Sequence, residues 1–314
     1  MNAITRRRWL QSAAGLAAGV PIYAERAPAA EERKERESFA YCLNTSTLQG
    51  QKLDLVELVE ITAKAGYQAI EPWSREVDQY VKDGGSLKDL AGRIKDRGLS
   101  VEDVIAFFEW AVDDDGKRKK GMEEAKRVMD LVRQIGGKRI ACPPAGATDQ
   151  TDLNLFKVGE RYRQILELGD KMDVIPQVEF WGFSRPLSRL SEAALVAVES
   201  GHPKACILAD VYHVYKGGSS VEGLRLLSAN ALQIVHFNDY PSDPPRNSIT
   251  DAARVYPGDG TAPLKQIVRT LRETGFKGVL SLELFNRDYW KQDAKEVAKT
   301  GLEKMKKVVR EALE

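Results

Sequence analysis

The chain has 314 residues, 43% of them hydrophobic, enough to bury a sizeable core in one large domain or two small ones. Its 47 lysines and arginines nearly cancel its 46 aspartates and glutamates. No excess positive field is left to hold nucleic acid or an anionic membrane by charge alone, so a small-molecule partner is expected.

The N-terminus reads as a targeting segment. Thr5-Arg6-Arg7-Arg8-Trp9-Leu10 precedes a small, apolar run over 12–20 and an Ile22-Tyr23-Ala24 stretch, a pattern similar to a twin-arginine export signal. The run is too short to span a membrane. Residues 1–24 are therefore expected to be removed, leaving a periplasmic protein with no membrane anchor. Twin-arginine export moves folded proteins, which would let a metal be loaded first. Residues 25–37, including Glu31-Glu32-Arg33-Lys34-Glu35-Arg36-Glu37, lack an apolar face and read as a charged linker. A single folded domain is expected over 38–314.

From there short apolar runs alternate with longer stretches of helical period. Expected strands lie at 39–44, 69–71, 100–106, 139–142, 174–180, 205–210, 233–238 and 279–284. Between them, Leu55, Leu58, Val59 and Thr62, then Leu155, Val158, Tyr162, Ile165 and Leu166, then Leu264, Ile267, Val268 and Leu271 recur at helical spacing. Glycines at Gly66, Gly98, Gly136, Gly201 and Gly275 stop helices just before strands. Strict alternation implies a parallel sheet with right-handed crossovers, and eight units in roughly 275 residues fit a (β/α)8 barrel better than an open sheet. After the first expected strand stands Asn44-Thr45-Ser46-Thr47, not the Gly-x-Gly-x-x-Gly loop of a dinucleotide fold. Cys42, Cys142 and Cys206 all fall inside expected strands; an odd count without paired spacing reads as buried free thiols.

In such a barrel, polar residues at the C-terminal ends of strands line the active site. The last four strands read Val178-Glu179-Phe180, Leu208-Ala209-Asp210, Val235-His236-Phe237 and Leu282-Glu283-Leu284. A carboxylate in such surroundings must be paired, protonated or bound to a cation. Taken singly, each residue is more readily a satisfied core group. Four successive strands ending this way favour one divalent metal held by Glu179, Asp210, His236 and Glu283. Oxygen-rich ligation with one nitrogen prefers Mn, Mg or Co, with Zn still open.

Glu179, Asp210-x-x-His213, His236 and Glu283 resemble the xylose-isomerase-like barrels, a superfamily of sugar isomerases and epimerases, hydroxypyruvate isomerase, inosose dehydratase and isomerase, and DNA-repair endonucleases. The resemblance covers about residues 38 to 314. It implies that the same four residues are the metal ligands. It also implies that Glu179 and Glu283 exchange the substrate proton, one on each face of a bound sugar: a metal across adjacent carbonyl and hydroxyl oxygens acidifies the intervening C–H and stabilises an enediolate. His213 is expected to turn back over the pocket and contact substrate. Relatives often use an arginine shortly after the strand-seven histidine, but here Ser242 stands near that spacing. Arg246 and Arg254 are the available arginines in the long connection 241–260, and Arg254 is favoured as substrate-binding over a structural ion pair with Asp251 or Asp259.

Trp73, Phe107, Trp110, Trp181, Tyr289 and Trp290 follow strands and are candidate pocket walls, with rim packing equally open for each. Glu71 and Glu109 are rim candidates more readily read as solvated or ion-paired. The leading expectation is a metal-dependent isomerase or epimerase acting on a sugar or polyol ketone. A lyase or dehydratase acting on a keto-sugar, keto-glycoside or inosose is the alternative, and a non-catalytic periplasmic sugar-binding barrel is less favoured. An endonuclease-like hydrolase needs more zinc ligands than His202, His213 and His236 can supply, and the chain carries no basic excess. The partner is thus a small-molecule carbohydrate, with no nucleic acid and no membrane. Relatives are often dimers or tetramers, so a homo-oligomer is admitted, although nothing in the sequence locates an interface.

Overall fold

The computed structural model describes residues 39–314; the expected export signal over 1–24 and linker over 25–37 lie outside the described residues. Eight parallel strands form one sheet: β1 (Ala40–Asn44), β2 (Ala69–Glu71), β3 (Ser100–Val101), β4 (Arg139–Cys142), β5 (Ile175–Glu179), β6 (Ile207–Asp210), β7 (Leu232–His236) and β8 (Val279–Leu282). Their order is β3-β2-β1-β8-β7-β6-β5-β4. β3 is shorter than its apolar run, because the chain turns away after Val101. The segment after it still bridges the sheet edges: Val104 N donates to Arg139 O at 3.3 Å, and Ala141 N to Val104 O at 3.2 Å. The sheet thus curls into the expected (β/α)8 barrel.

Helices α1 (Leu55–Ala65), α2 (Ser74–Lys82), α3 (Leu87–Asp96), α4 (Asp115–Gln134), α5 (Leu155–Met172), α6 (Leu190–Glu199), α7 (Val211–Lys216), α8 (Leu264–Glu273) and α9 (Ala294–Leu313) connect and follow the strands. Local chemistry sets their ends. In α1, Asp54 accepts from Glu57 N while the Glu57 carboxylate accepts from Asp54 N, a reciprocal cap. Gly66 closes the same helix at a φ of 94°, where a side chain would be strained.

Alternation along each strand divides the core. Outward residues such as Leu43, Ile70, Val178, Val235 and Leu280 join the apolar layer beneath the helices. Inward residues Cys42, Ala69, Ala141, Leu208, Ile234 and Val279 form a separate interior cluster with Trp73 and Ile105. One step further toward the C-terminal ends, the inward positions turn polar. Pairing sets Asn44 beside Glu71, Asp210 beside His236, and His236 beside Ser281. The three cysteines are buried and free. No described helix is long and apolar enough to cross a membrane.

On α5, the buried Tyr162 hydroxyl lies 2.8 Å from both Pro176 O and Cys206 O, and it accepts from Val178 N and Cys206 N at 3.3 Å. It ties the lower ends of β5 and β6. Tyr162→Phe is expected to lower the unfolding free energy by about 1–3 kcal/mol in denaturant titration, with the circular dichroism of the native state unchanged.

Candidate metal centre

The site is built around His236, which is fully buried at the end of β7. Its Nε2 lies 3.1 Å from Glu71 Oε1. The other Glu71 oxygen accepts from Ser281 Oγ at 2.6 Å and Asn44 Nδ2 at 2.8 Å, and Asn44 Oδ1 accepts from Trp73 Nε1 at 3.0 Å. This network fixes the Glu71 carboxylate as an acceptor. With Nε2 donating to Glu71, Nδ1 is the ring nitrogen left to face the other carboxylates. Nδ1 faces Glu283 Oε2 at 3.1 Å and Asp210 Oδ2 at 3.5 Å but is hydrogen-bonded to neither.

Asp210 ends β6 and also caps α7: its Oδ1 accepts from His213 N at 2.9 Å. Oδ2 accepts from Asn238 Nδ2 at 3.1 Å and Arg254 Nη1 at 2.7 Å. Glu283 follows β8, with Oε1 accepting from Asn44 Nδ2 at 3.2 Å and Oε2 from Arg254 Nη1 at 2.9 Å. One ligand atom each from Asp210, His236 and Glu283 lie within 4.8 Å of one another, close enough for a single ion. Glu179, at the end of β5, is not part of this tight group. Its carboxylate has no hydrogen-bond partner among the described residues, and it lines the adjoining cavity.

The electrostatics fit a cation. Burial raises the Glu179 pKa well above the usual carboxylate range; Glu283 and Asp210 add to the rise, while His236 and Arg254 oppose it. Burial also disfavours a charged His236, yet the Glu283 and Glu71 carboxylates outweigh it and raise that pKa. Asp210 is held well below its ordinary range: burial opposes ionisation, and the Arg254 guanidinium and His213 overcome it. A buried excess of carboxylates beside an imidazole nitrogen without a hydrogen bond could hold a divalent ion.

Arg254 comes from the long connection after β7. Asp239 pairs with Val255, and its carboxylate accepts from the backbone N–H groups of Tyr240, Gly258, Gly260 and Ala262 at 2.8 to 3.1 Å. These bonds pin the segment that follows Arg254. A cavity of about 240 Å³ opens beside the centre. It is walled by Trp73, Phe107, Trp181, Phe183 and Phe285, with Glu179, His213, Asp251, Arg254 and Glu283 among its polar lining. Phe107 and Phe183 stand at its rim, 46% and 50% exposed.

Against models of known families, residues 59–308 match the xylose isomerase-like TIM barrel. The chain belongs to that family. Among its relatives, an inosose isomerase of Bacillus velezensis is 27% identical over 276 residues, covering 85% of this chain and 96% of that protein. A 3-dehydroshikimate dehydratase of Pseudomonas putida is 22% identical over 252 residues, covering 79% of this chain and 39% of that protein. A solved structure of the IOLI protein with a bound zinc atom superposes with a TM-score of 0.81 at 24% identity, covering 87% of this chain and 99% of that one. The relatives so named are enzymes.

On this xylose isomerase-like barrel, the residues expected from sequence fall into place unequally. Asp210, His236 and Glu283 converge, and His213 and Arg254 line the same cavity. His213 Nδ1 accepts from Gly182 N at 3.2 Å, and burial pushes its pKa down to about 4, against the pull of Asp210. Trp73, Phe107 and Trp181 wall the cavity as expected. Trp110 does not: it is buried, with Nε1 donating to Pro143 O at 2.7 Å. Tyr289 stacks on Tyr256, and Trp290 Nε1 donates to Ser46 O, so both pack beside the cavity rather than line it. Arg246 is exposed, and Glu109 pairs with Lys117.

Glu71 is no rim residue: it is fully buried against His236. Asn44, Asn238, Phe183 and Phe285 also belong to the site. Asn44 and Glu71 carry the same signal as the others, a polar residue ending a barrel strand, on β1 and β2. Glu71→Gln is expected to weaken Mn²⁺ binding by about 10- to 100-fold in isothermal titration calorimetry, because the outer hydrogen bond orients His236. Unchanged affinity would assign Glu71 to packing alone.

Proposed function

We propose that this protein is a divalent-metal-dependent isomerase or epimerase of a sugar or polyol ketone, using Glu179 and Glu283 to move a proton at carbon beside the carbonyl. The observation that carries this reading is that the Glu179 and Glu283 carboxylates face one aromatic-walled cavity next to the Asp210, His236 and Glu283 cluster. The metal would be held by these three residues with Glu179. Mn, Mg or Co is preferred on the oxygen-rich donor set, and zinc is the ion bound in the IOLI structure. Such an ion supplies positive charge beside the substrate's carbonyl oxygen, where negative charge develops.

The protein's own groups do the rest. Glu179, without a hydrogen bond among the described residues, is placed to accept a proton from carbon and return it. Glu283 is held through Oε1 by Asn44, which leaves Oε2 facing the centre. The aromatic walls cover the apolar faces of a sugar and exclude water. His213 is neutral and lines the cavity, where it would contact a substrate oxygen. In support, an inosose isomerase is the relative at 27% identity, over nearly its whole length.

A second reading is a lyase or dehydratase, in which the same proton removal is followed by loss of a leaving group. The match to a 3-dehydroshikimate dehydratase favours it. Export to the periplasm is part of the proposal and rests on the Arg6-Arg7 segment; it favours a substrate met outside the cytoplasm, such as a keto-sugar or keto-glycoside.

The test is proton exchange by NMR in deuterium oxide, with Mn²⁺-loaded protein and free ketoses, inososes and 3-keto-glycosides. Deuterium uptake with a new isomer is expected, reduced at least about a hundredfold in Glu179→Gln and Glu283→Gln and abolished by chelator. Release of a leaving group would select the lyase. Metal binding without exchange on any compound would favour a non-catalytic sugar-binding barrel.

A further inference from the structure

The guanidinium of Arg254 is 1% exposed, and its two terminal nitrogens serve different partners. Nη1 donates to Asp210 Oδ2 at 2.7 Å and Glu283 Oε2 at 2.9 Å. These are the same two oxygens that face His236 Nδ1. Nη2 donates to Asp251 Oδ1 and lies 3.2 Å from His213 Nε2. The flat group sits between two rings, its central carbon 4.5 Å from the Tyr212 centroid and 5.1 Å from that of Phe285.

Arginine stays charged under all folding conditions. A divalent ion reaching these oxygens and Nδ1 therefore meets a positive charge already bonded to two of its ligands, in a buried place where screening is weak. The guanidinium has somewhere else to turn. Asp251 holds Nη2, and the side chain already borders the cavity.

We propose that Arg254 is a positioning residue that competes with the divalent metal for Asp210 Oδ2 and Glu283 Oε2, and that metal binding turns its Nη1 toward the cavity as a donor for a substrate oxygen. The inference rests on the metal reading above. Its consequence is an order of binding. Once displaced, Nη1 is a buried charged donor without an acceptor, a costly condition that a substrate hydroxyl or carbonyl relieves. Metal and substrate binding are then positively coupled through one side chain.

The test is Mn²⁺ affinity by calorimetry for the wild-type protein, Arg254→Gln and Arg254→Lys, together with the rise in melting temperature that Mn²⁺ gives each. Arg254→Gln removes the charge and keeps a polar side chain; it is expected to bind Mn²⁺ roughly tenfold or more tightly than wild type, with a larger thermal shift. Arg254→Lys restores the charge and is expected to return toward wild-type affinity. If the glutamine variant stays folded only with Mn²⁺, it is isolated loaded, and the constant is read by chelator competition against the same expectation. Equal or weaker binding by Arg254→Gln overturns the competition alone. Absence of Mn²⁺ binding by all three proteins overturns the metal reading and this inference with it.

Discussion

Glu71, Glu179, Asp210 and Glu283 are all buried at one end of the barrel, and like charges so placed repel strongly unless positive charge or hydrogen-bond donors answer them. Much of the local structure is that answer. Asn44, Ser281 and Asn238 donate from β1, β8 and the end of β7. His236 lies between Glu71 on one ring nitrogen and Asp210 and Glu283 near the other. Arg254 must be imported, because no strand end supplies a guanidinium there. The long connection after β7 supplies it, and both oxygens of the Asp239 carboxylate hold that connection in place.

The barrel separates this charge problem from its stability. Outward-facing residues pack a continuous apolar layer under the helices, while the interior is filled by small residues such as Cys42, Ala69 and Ala141. The site therefore adds few of the contacts that hold the helices to the sheet, and its residues are free to be arranged for charge rather than volume. Some cost remains inside. Asp103 and Gln177 are buried, 3.3 Å apart, and each keeps one oxygen without a protein partner; burial raises the Asp103 pKa well above the ordinary range, with the Glu71 charge adding to it.

The barrel and the ligand cluster were legible because both follow from period. Alternation along eight strands gives the sheet, and a polar residue interrupting the inward face near a strand's C-terminal end gives the site. The same rule extends to Asn44 and Glu71. Glu71 was obscured by its setting: β2 is three residues long and runs into Pro72-Trp73, which looks like the start of a solvated loop. Trp110 and Phe107 are three residues apart in one irregular segment, yet one ring packs in the core and the other at the cavity rim. No residue period operates in a loop, so their directions could not be read from spacing. Arg254 was within reach as a candidate, but its place between Asp210 and Glu283 depends on the pairing of Asp239 with Val255 across the connection, a contact that no local pattern announces.

The two reactions open to this site differ after their first step, and the asymmetry of its carboxylates bears on that difference. Glu283 is fixed by two donors, whereas Glu179 has none among the described residues. On the proposed reading, a carboxylate with no competing donor is suited to take a proton and give it back at a neighbouring or inverted position, which is what isomerisation and epimerisation require. Elimination asks for something more, an acid placed at the departing oxygen. His213 borders the cavity, but its Nδ1 is already an acceptor for Gly182 N, so only Nε2 is available, and Arg254 Nη2 approaches that nitrogen. With its pKa pushed down to about 4, His213 is neutral and can donate a hydrogen bond but is no acid for a departing oxygen, so the carboxyl that takes the proton from carbon would have to supply it. The choice between isomerase and lyase thus comes down to where the protonated carboxyl returns its proton: to carbon or to a departing oxygen.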